Sequence, residues 1–118
     1  MLIPETIWRI PGKEKTVYLT FDDGPIPQVT PWVLDLLDYY NVKATFFCVG
    51  DNVARNPHLF AELRKRGHQV GNHTMNHKNL TKLSEREVLQ QIDACADIVE
   101  NASGVRPYLL RCPGGNVN

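Results

Sequence analysis

A chain of 118 residues has room for one domain with a modest core, and its 42% hydrophobic and 22% charged residues are an ordinary globular balance. Its 13 Lys and Arg offset its 13 Asp and Glu. No basic field is available for nucleic acid or an anionic membrane, so a neutral or zwitterionic partner fits better. No apolar run reaches bilayer length, and the start Met1-Leu-Ile-Pro-Glu-Thr6 lacks the charged and apolar regions of a signal peptide. An anchor or signal upstream of Met1 stays open on this reading.

Residues 15–21 are β-branched and aromatic and predict a strand, ending in the polar turn Asp22-Asp23-Gly24-Pro25. Thr30 as N-cap and Pro31 at the first helical position then open a helix to about Tyr40. Its apolar positions are Val33, Leu36, Leu37 and Tyr40. Residues 44–49 are almost wholly apolar, the pattern of a strand buried on both faces. A helical stretch follows over 52–66, with Pro57 dividing it or starting its main part, and Gly67 stands where a C-cap glycine belongs. Gln69–Asn72 predicts a third strand. Ser84-Glu-Arg-Glu87 is a capping box, and Val88, Leu89, Ile92, Cys95, Ala96 and Val99 behind it form one apolar stripe. Gly104 ends that helix, and 108–110 predicts a fourth strand.

Alternation of strand and helix implies crossovers and a parallel sheet. The predicted fold class is α/β, with about four parallel strands alternating with helices. A closed barrel of such units needs on the order of 200 residues or more, so this chain reads as part of one, truncated before barrel closure. Cys48, Cys95 and Cys112 are widely spaced, lack a CxxC pair, and read as free thiols rather than a disulfide framework.

Asp22 and Asp23 fall at the C-terminal end of the first strand, the edge where parallel α/β folds bind ligands. Two adjacent carboxylates repel unless a cation or donors compensate, although the tetrapeptide alone also reads as a solvated turn. His73 and His77 are spaced to lie on one face of a helical turn and share a metal. An isolated HxxxH also describes unrelated surface histidines, but this pair directly follows the third strand and so shares the aspartates' edge. Two imidazoles and one carboxylate leave open positions on zinc or a similar divalent ion, which is a catalytic rather than a structural set. Such an ion acidifies water, and the second aspartate is then free to act as general base.

Arg111-Cys112-Pro113-Gly114-Gly115 follows the fourth strand to the same edge. The arginine can pair with the base carboxylate, and the glycines let backbone N–H groups approach an oxyanion; alone, the segment reads as a turn. His58 and His68 have no partner at ligand spacing and read as structural or surface residues. Trp8 and Trp32 are candidate sugar platforms, with Trp32 packing the first helix and Trp8 covering a barrel end as the plainer reading. Thr74 can hydrogen-bond the loop that carries the histidines.

Taken jointly, the three segments resemble the polysaccharide deacetylase family, carbohydrate esterase family 4 with its NodB-like domain. Thr20-Phe21-Asp22-Asp23-Gly24-Pro25 resembles the first motif, TFDDGP. His73-Thr74-Met75-Asn76-His77 resembles the second, H-[ST]-x-x-H, and Arg111 through Gly115 the third, R-x-P-x-G. The resemblance implies a partial (β/α) barrel of the NodB-like type. It implies Asp22 as general base, Asp23, His73 and His77 as ligands of a divalent metal, zinc foremost and cobalt or another divalent ion as an alternative, and Arg111 as the residue orienting Asp22. Pro113, Gly114 and Gly115 would shape the substrate groove. Residues 1–14 are expected to be an N-terminal extension and 15–118 the N-terminal part of the domain.

Two departures stand out. The family commonly has proline or serine where Cys112 stands and an aromatic where Gly114 stands. Its fourth and fifth motifs, the fifth carrying a histidine general acid, would lie beyond Asn118. The expected activity is metal-dependent removal of acetyl groups from N-acetylated polysaccharide, such as chitooligosaccharide or peptidoglycan N-acetylglucosamine. The alternatives are an inactive metal- or glycan-binding fragment, whose open sheet edges favour self-association, and a deacetylase of O-acetylated xylan or of a small-molecule amide. The family's substrates favour an extracytoplasmic or cell-wall setting.

Overall fold

The computed structural model describes residues 7–9 and 17–115. Strand β1 (Ile7–Arg9) pairs antiparallel with β2 (Val17–Asp22). Strands β3 (Ala44–Cys48) and β4 (Gln69–Asn72) extend the sheet in parallel, in the order β1-β2-β3-β4. Helix α1 (Thr30–Tyr39) joins β2 to β3, helices α2 (Gly50–Arg55) and α3 (Pro57–Lys65) join β3 to β4, and α4 (Glu85–Ser103) follows. The expected α/β alternation and three of the four expected parallel strands are therefore present.

The fourth strand is not. Residues 108–110 contribute a single parallel bridge, Asn72 to Leu110, made by Asn72 N–H donating to Leu109 O and Arg111 N–H donating to Asn72 O. Pro107 has no N–H to lend a longer ladder, and Tyr108 and Leu110 are both exposed, so no burial supports one. Strand β1 was not foreseen either, and through it the edge of β2 is already paired. The side chain of Trp8 lies outside the described residues.

The helices bury one face each. Val33, Leu34 and Leu37 of α1, Phe60 and Leu63 of α3, and Cys95 and Val99 of α4 share one core with Phe21, Phe46 and Val70 of the sheet. Truncating a residue as enclosed as Leu34 or Leu63 to alanine costs about 2–5 kcal/mol. Thr30 does not cap α1; Val29 occupies that position, and buried Thr30 instead accepts the Ile26 N–H on Oγ1 at 2.8 Å, closing the preceding turn. Pro57 divides the second helical stretch, with Asn56 leaving helical geometry at φ −130°. The capping box of α4 is complete and Gly104 ends the helix at φ +79°. Only the second half of its apolar stripe is buried, since Leu89 is exposed. Trp32 also departs from its expected packing and is half exposed. Among the described residues, no helix is long and apolar enough to cross a membrane.

Candidate metal centre

Asp22, Asp23, His73, His77 and Arg111 gather at the C-terminal edge of the sheet. Asp22 is the last residue of β2 and is buried. Asp23 turns out of the strand at φ +75°, with its N–H on Phe47 O at 3.1 Å. His73 follows β4 and is buried, its N–H on Cys48 O at 3.0 Å. The end of β3 thus holds the backbone of two candidate ligands from its neighbouring strands.

The two histidines do not share a helical turn. Residues 73–79 form a loop in which Thr74 and His77 have positive φ, 69° and 60°. Side chains sustain this path by taking backbone donors that a helix would have used. Asn72 Oδ1 accepts the Thr74 N–H at 2.8 Å, and Thr74 Oγ1 accepts the His77 N–H at 3.2 Å. The loop places the imidazole centroids 5.0 Å apart.

Both Nε2 atoms converge on one carboxylate oxygen. Asp23 Oδ1 lies 3.2 Å from His73 Nε2 and 3.1 Å from His77 Nε2. Ligands sharing one tetrahedral ion at about 2.0–2.1 Å sit about 3.3 Å apart, so these separations suit a common cation. The tautomer supports the same fit. His73 Nδ1 is 2.7 Å from the carbonyl oxygen of Arg111, which only accepts. That nitrogen therefore carries the proton, and in the neutral ring Nε2 presents a lone pair to Asp23. Two acceptors at this distance repel unless a proton or a metal cation joins them. Among the described residues, Asp23 Oδ1 is buried and accepts no hydrogen bond, although both imidazoles are close to it. The residues present accordingly fit a divalent ion, with the Arg111 carbonyl fixing the His73 ring as outer partners of metal ligands do.

Asp22 is held separately. Arg111 Nη1 donates to Asp22 Oδ1 at 2.9 Å and to Thr20 Oγ1 at 3.1 Å. The guanidinium lies 4.4 Å over the Phe47 ring. That ring occupies the space beside Gly71, where a Cβ would come within 2.6 Å of it. Gly71 is thus needed for a close approach, and a side chain there would displace the platform beneath Arg111.

A cleft opens beside the triad, lined by Asp23, Val49, Asp51, Asn52, Arg55, Asn76 and His77. Pro113–Gly115 forms a short 3-10 turn after Arg111 and lines none of that cleft. His58 is exposed on α3, and His68 is buried at the opposite end of β4, its Nδ1 accepting the Ala44 N–H at 3.0 Å. The sequence reading missed the asparagines and glutamine that hold the loops. Asn52 donates to the Asp23 carbonyl. Asn72 Nδ2 donates to Ile92 O at 2.8 Å, and Gln91 binds Asn76. Only Asn72, a polar residue between an apolar strand and a histidine, left a readable signal. Cys48 and Cys95 are buried free thiols and Cys112 is half buried, as expected.

The family model described as polysaccharide deacetylase matches residues 9–118. A peptidoglycan-N-acetylglucosamine deacetylase of Bacillus cereus is 44% identical over 111 residues, covering 94% of this chain and 52% of that protein. A chitooligosaccharide deacetylase of a Bradyrhizobium species is 41% identical over 102 residues, covering 86% of this chain and 47% of that protein. The crystal structure of the peptidoglycan deacetylase PdaC from Bacillus subtilis superposes with a TM-score of 0.81 at 46% identity, covering 84% of this chain and 49% of that one. The chain thus spans about half the length of these relatives. It belongs to the polysaccharide deacetylase family.

Proposed function

We propose that this chain carries the metal-binding and base-bearing part of a hydrolase that removes acetyl groups from an N-acetylated glycan, peptidoglycan or chitooligosaccharide. One observation carries the reading: the Asp23 oxygen meets both Nε2 atoms at ligand–ligand separations, beside an aspartate paired to arginine. Asp23, His73 and His77 would hold the ion, and two nitrogens with one oxygen suit zinc. When bound, the ion supplies Lewis acidity toward an amide carbonyl and lowers the pKa of water. Asp22 accepts the proton from the attacking water on its carboxylate. Arg111 holds that carboxylate in place, since its guanidinium is itself fixed by Thr20 and by the Phe47 ring. The similarity to peptidoglycan-N-acetylglucosamine and chitooligosaccharide deacetylases supports the glycan class.

The test is acetate release from chitooligosaccharides and from peptidoglycan, with and without chelator. Activity that withstands chelation would remove the mechanism. Asp22→Asn should lower turnover by about 10²–10⁴-fold, the usual worth of general-base help, while leaving metal affinity within a few-fold.

A second reading is favoured by the placement of the remaining imidazoles. Among the described residues, His68 lies at the end of β4 away from the site, and His58, exposed on α3, does not line the cleft beside Asp23, so neither is placed to protonate the leaving amine. The 118-residue chain by itself would then bind metal and glycan without turnover. Metal binding without acetate release would support it, and full activity of the same chain would exclude it.

A further inference from the structure

The His77 ring is fixed less by packing than by its backbone, because its side chain remains 45% exposed. That backbone runs through two left-handed non-glycine residues, Thr74 and His77, a path that persists only where its surroundings hold it. On one side, the N–H groups of Gly50 and Asp51 donate to Thr74 O and Met75 O at 3.0 and 2.9 Å. On the other side stands Gln91 of α4. Its Oε1 accepts the Asn76 N–H at 2.9 Å, and its Nε2 donates to Asn76 Oδ1 at 2.8 Å. Asn76 completes its own amide by donating Nδ2 to Asp51 Oδ2. Both ends of the Gln91 amide are thereby spent on the residue immediately before His77.

We infer that Gln91 is a positioning residue for the metal centre, acting through Asn76 to hold His77 Nε2 against Asp23. It need not touch the ion. Without the clamp, the peptide preceding His77 is free to leave its left-handed path, and the exposed ring moves off the common point. The inference rests on the metal reading of Asp23, His73 and His77.

The test is a Co²⁺ titration of the 118-residue chain, followed by visible absorption, for the wild type, Gln91→Met, Gln91→Glu, Asn76→Ala and the Gln91→Met/Asn76→Ala pair. Thermal unfolding without metal is measured alongside. Gln91→Met keeps the length of the side chain and removes both bonds. It should weaken Co²⁺ binding by about 10-fold, the lower end for outer partners of metal ligands, while the apo melting temperature changes little. Gln91→Glu retains an acceptor for the Asn76 N–H and should fall between. In the double variant the loss should be smaller than the product of the two single losses, since both act on one path. A Gln91→Met chain that folds and binds Co²⁺ like the wild type overturns the inference, as does a multiplicative double variant. His73→Ala separates the two levels: if it binds Co²⁺ as well as the wild type does, the metal reading fails and takes the clamp with it.

Discussion

Replacing Arg111 by alanine should destabilise the fold by about 3 kcal/mol. The side chain closes an ion pair with Asp22 at 2.9 Å, and the two side chains are only 17% and 4% exposed. Removing one member of a buried pair costs about 3–5 kcal/mol, chiefly because the other charge is stranded. Arg111 keeps some exposure, so water would reach Asp22 through the space it vacates, which favours the lower end. The lost contact with the Phe47 ring adds to the cost rather than reducing it. In a small domain each kcal/mol moves Tm by about 4–8 °C, so a fall of more than about 10 °C is expected. Urea unfolding followed by circular dichroism measures the change, with the slope m expected to stay constant. A second variant isolates the cause: Asp22→Asn with Arg111→Met leaves neither charge, and should recover most of the loss. If Arg111→Ala unfolds within about 1 kcal/mol of wild type, or the double variant is no more stable than the single, the pair is not the buried contact argued above.

Gly50→Ala should destabilise by about 1–3 kcal/mol, read by urea unfolding, because a Cβ there would lie 2.5 Å from Met75 Sδ and 3.2 Å from the Cys95 backbone; an unchanged midpoint would deny that close approach. His68 has its pKa held below the ordinary value of 6.5, first by burial and then by Lys43. The unfolded chain therefore takes up that proton first as pH falls. The stability His68 contributes is complete above about pH 6.5 and is lost as pH falls through the lower folded value. The stability difference between wild type and His68→Gln should accordingly shrink between about pH 7.5 and 5, and a pH-independent difference would contradict it. Burial pushes the Cys48 thiol far up and the Cys95 thiol up to about 11, while Cys112 is only half buried. A thiol reagent should titrate Cys112 alone in the native chain and all three cysteines in urea; rapid native reaction of Cys48 or Cys95 would refute their enclosure.

What the sequence made legible follows from how local each signal is. The capping box of α4, the dividing Pro57 and the apolar run of β3 each act through neighbours in the chain, and each appears in place. The site residues were legible because the ends of successive parallel strands must share an edge, which puts Asp22 and His73 together without any knowledge of packing. Leu89 and Trp32 were misjudged for the opposite reason. Periodicity shows which residues share a helix face, but not whether another element covers it, and here both remain exposed. Gln91 was illegible because a glutamine on a helix is an ordinary solvated residue until the loop that meets it is placed.

The spacing of His73 and His77 predicts a helical turn, whereas the structure has a loop there, and the difference explains how the edge is built. A helix begun at His73 would have bonded the N–H of 77 to the carbonyl of 73. Here the Thr74 side chain takes the His77 N–H and the Asn72 side chain takes that of Thr74, while the loop's carbonyls accept from the start of α2. Thr74 O and Met75 O accept from Gly50 and Asp51, the first residues of α2. Val49, immediately before them, donates to Gly24 O at 3.1 Å, in the turn that carries Asp23. The end of β3, through its carbonyls, and the segment after it, through its N–H groups, therefore bind both loops that carry the candidate ligands and set the separation between Asp23 and the imidazoles. Any substitution that shifts residues 49–51 should move both loops at once, so metal affinity is expected to track the geometry of this segment more closely than that of the more distant helices.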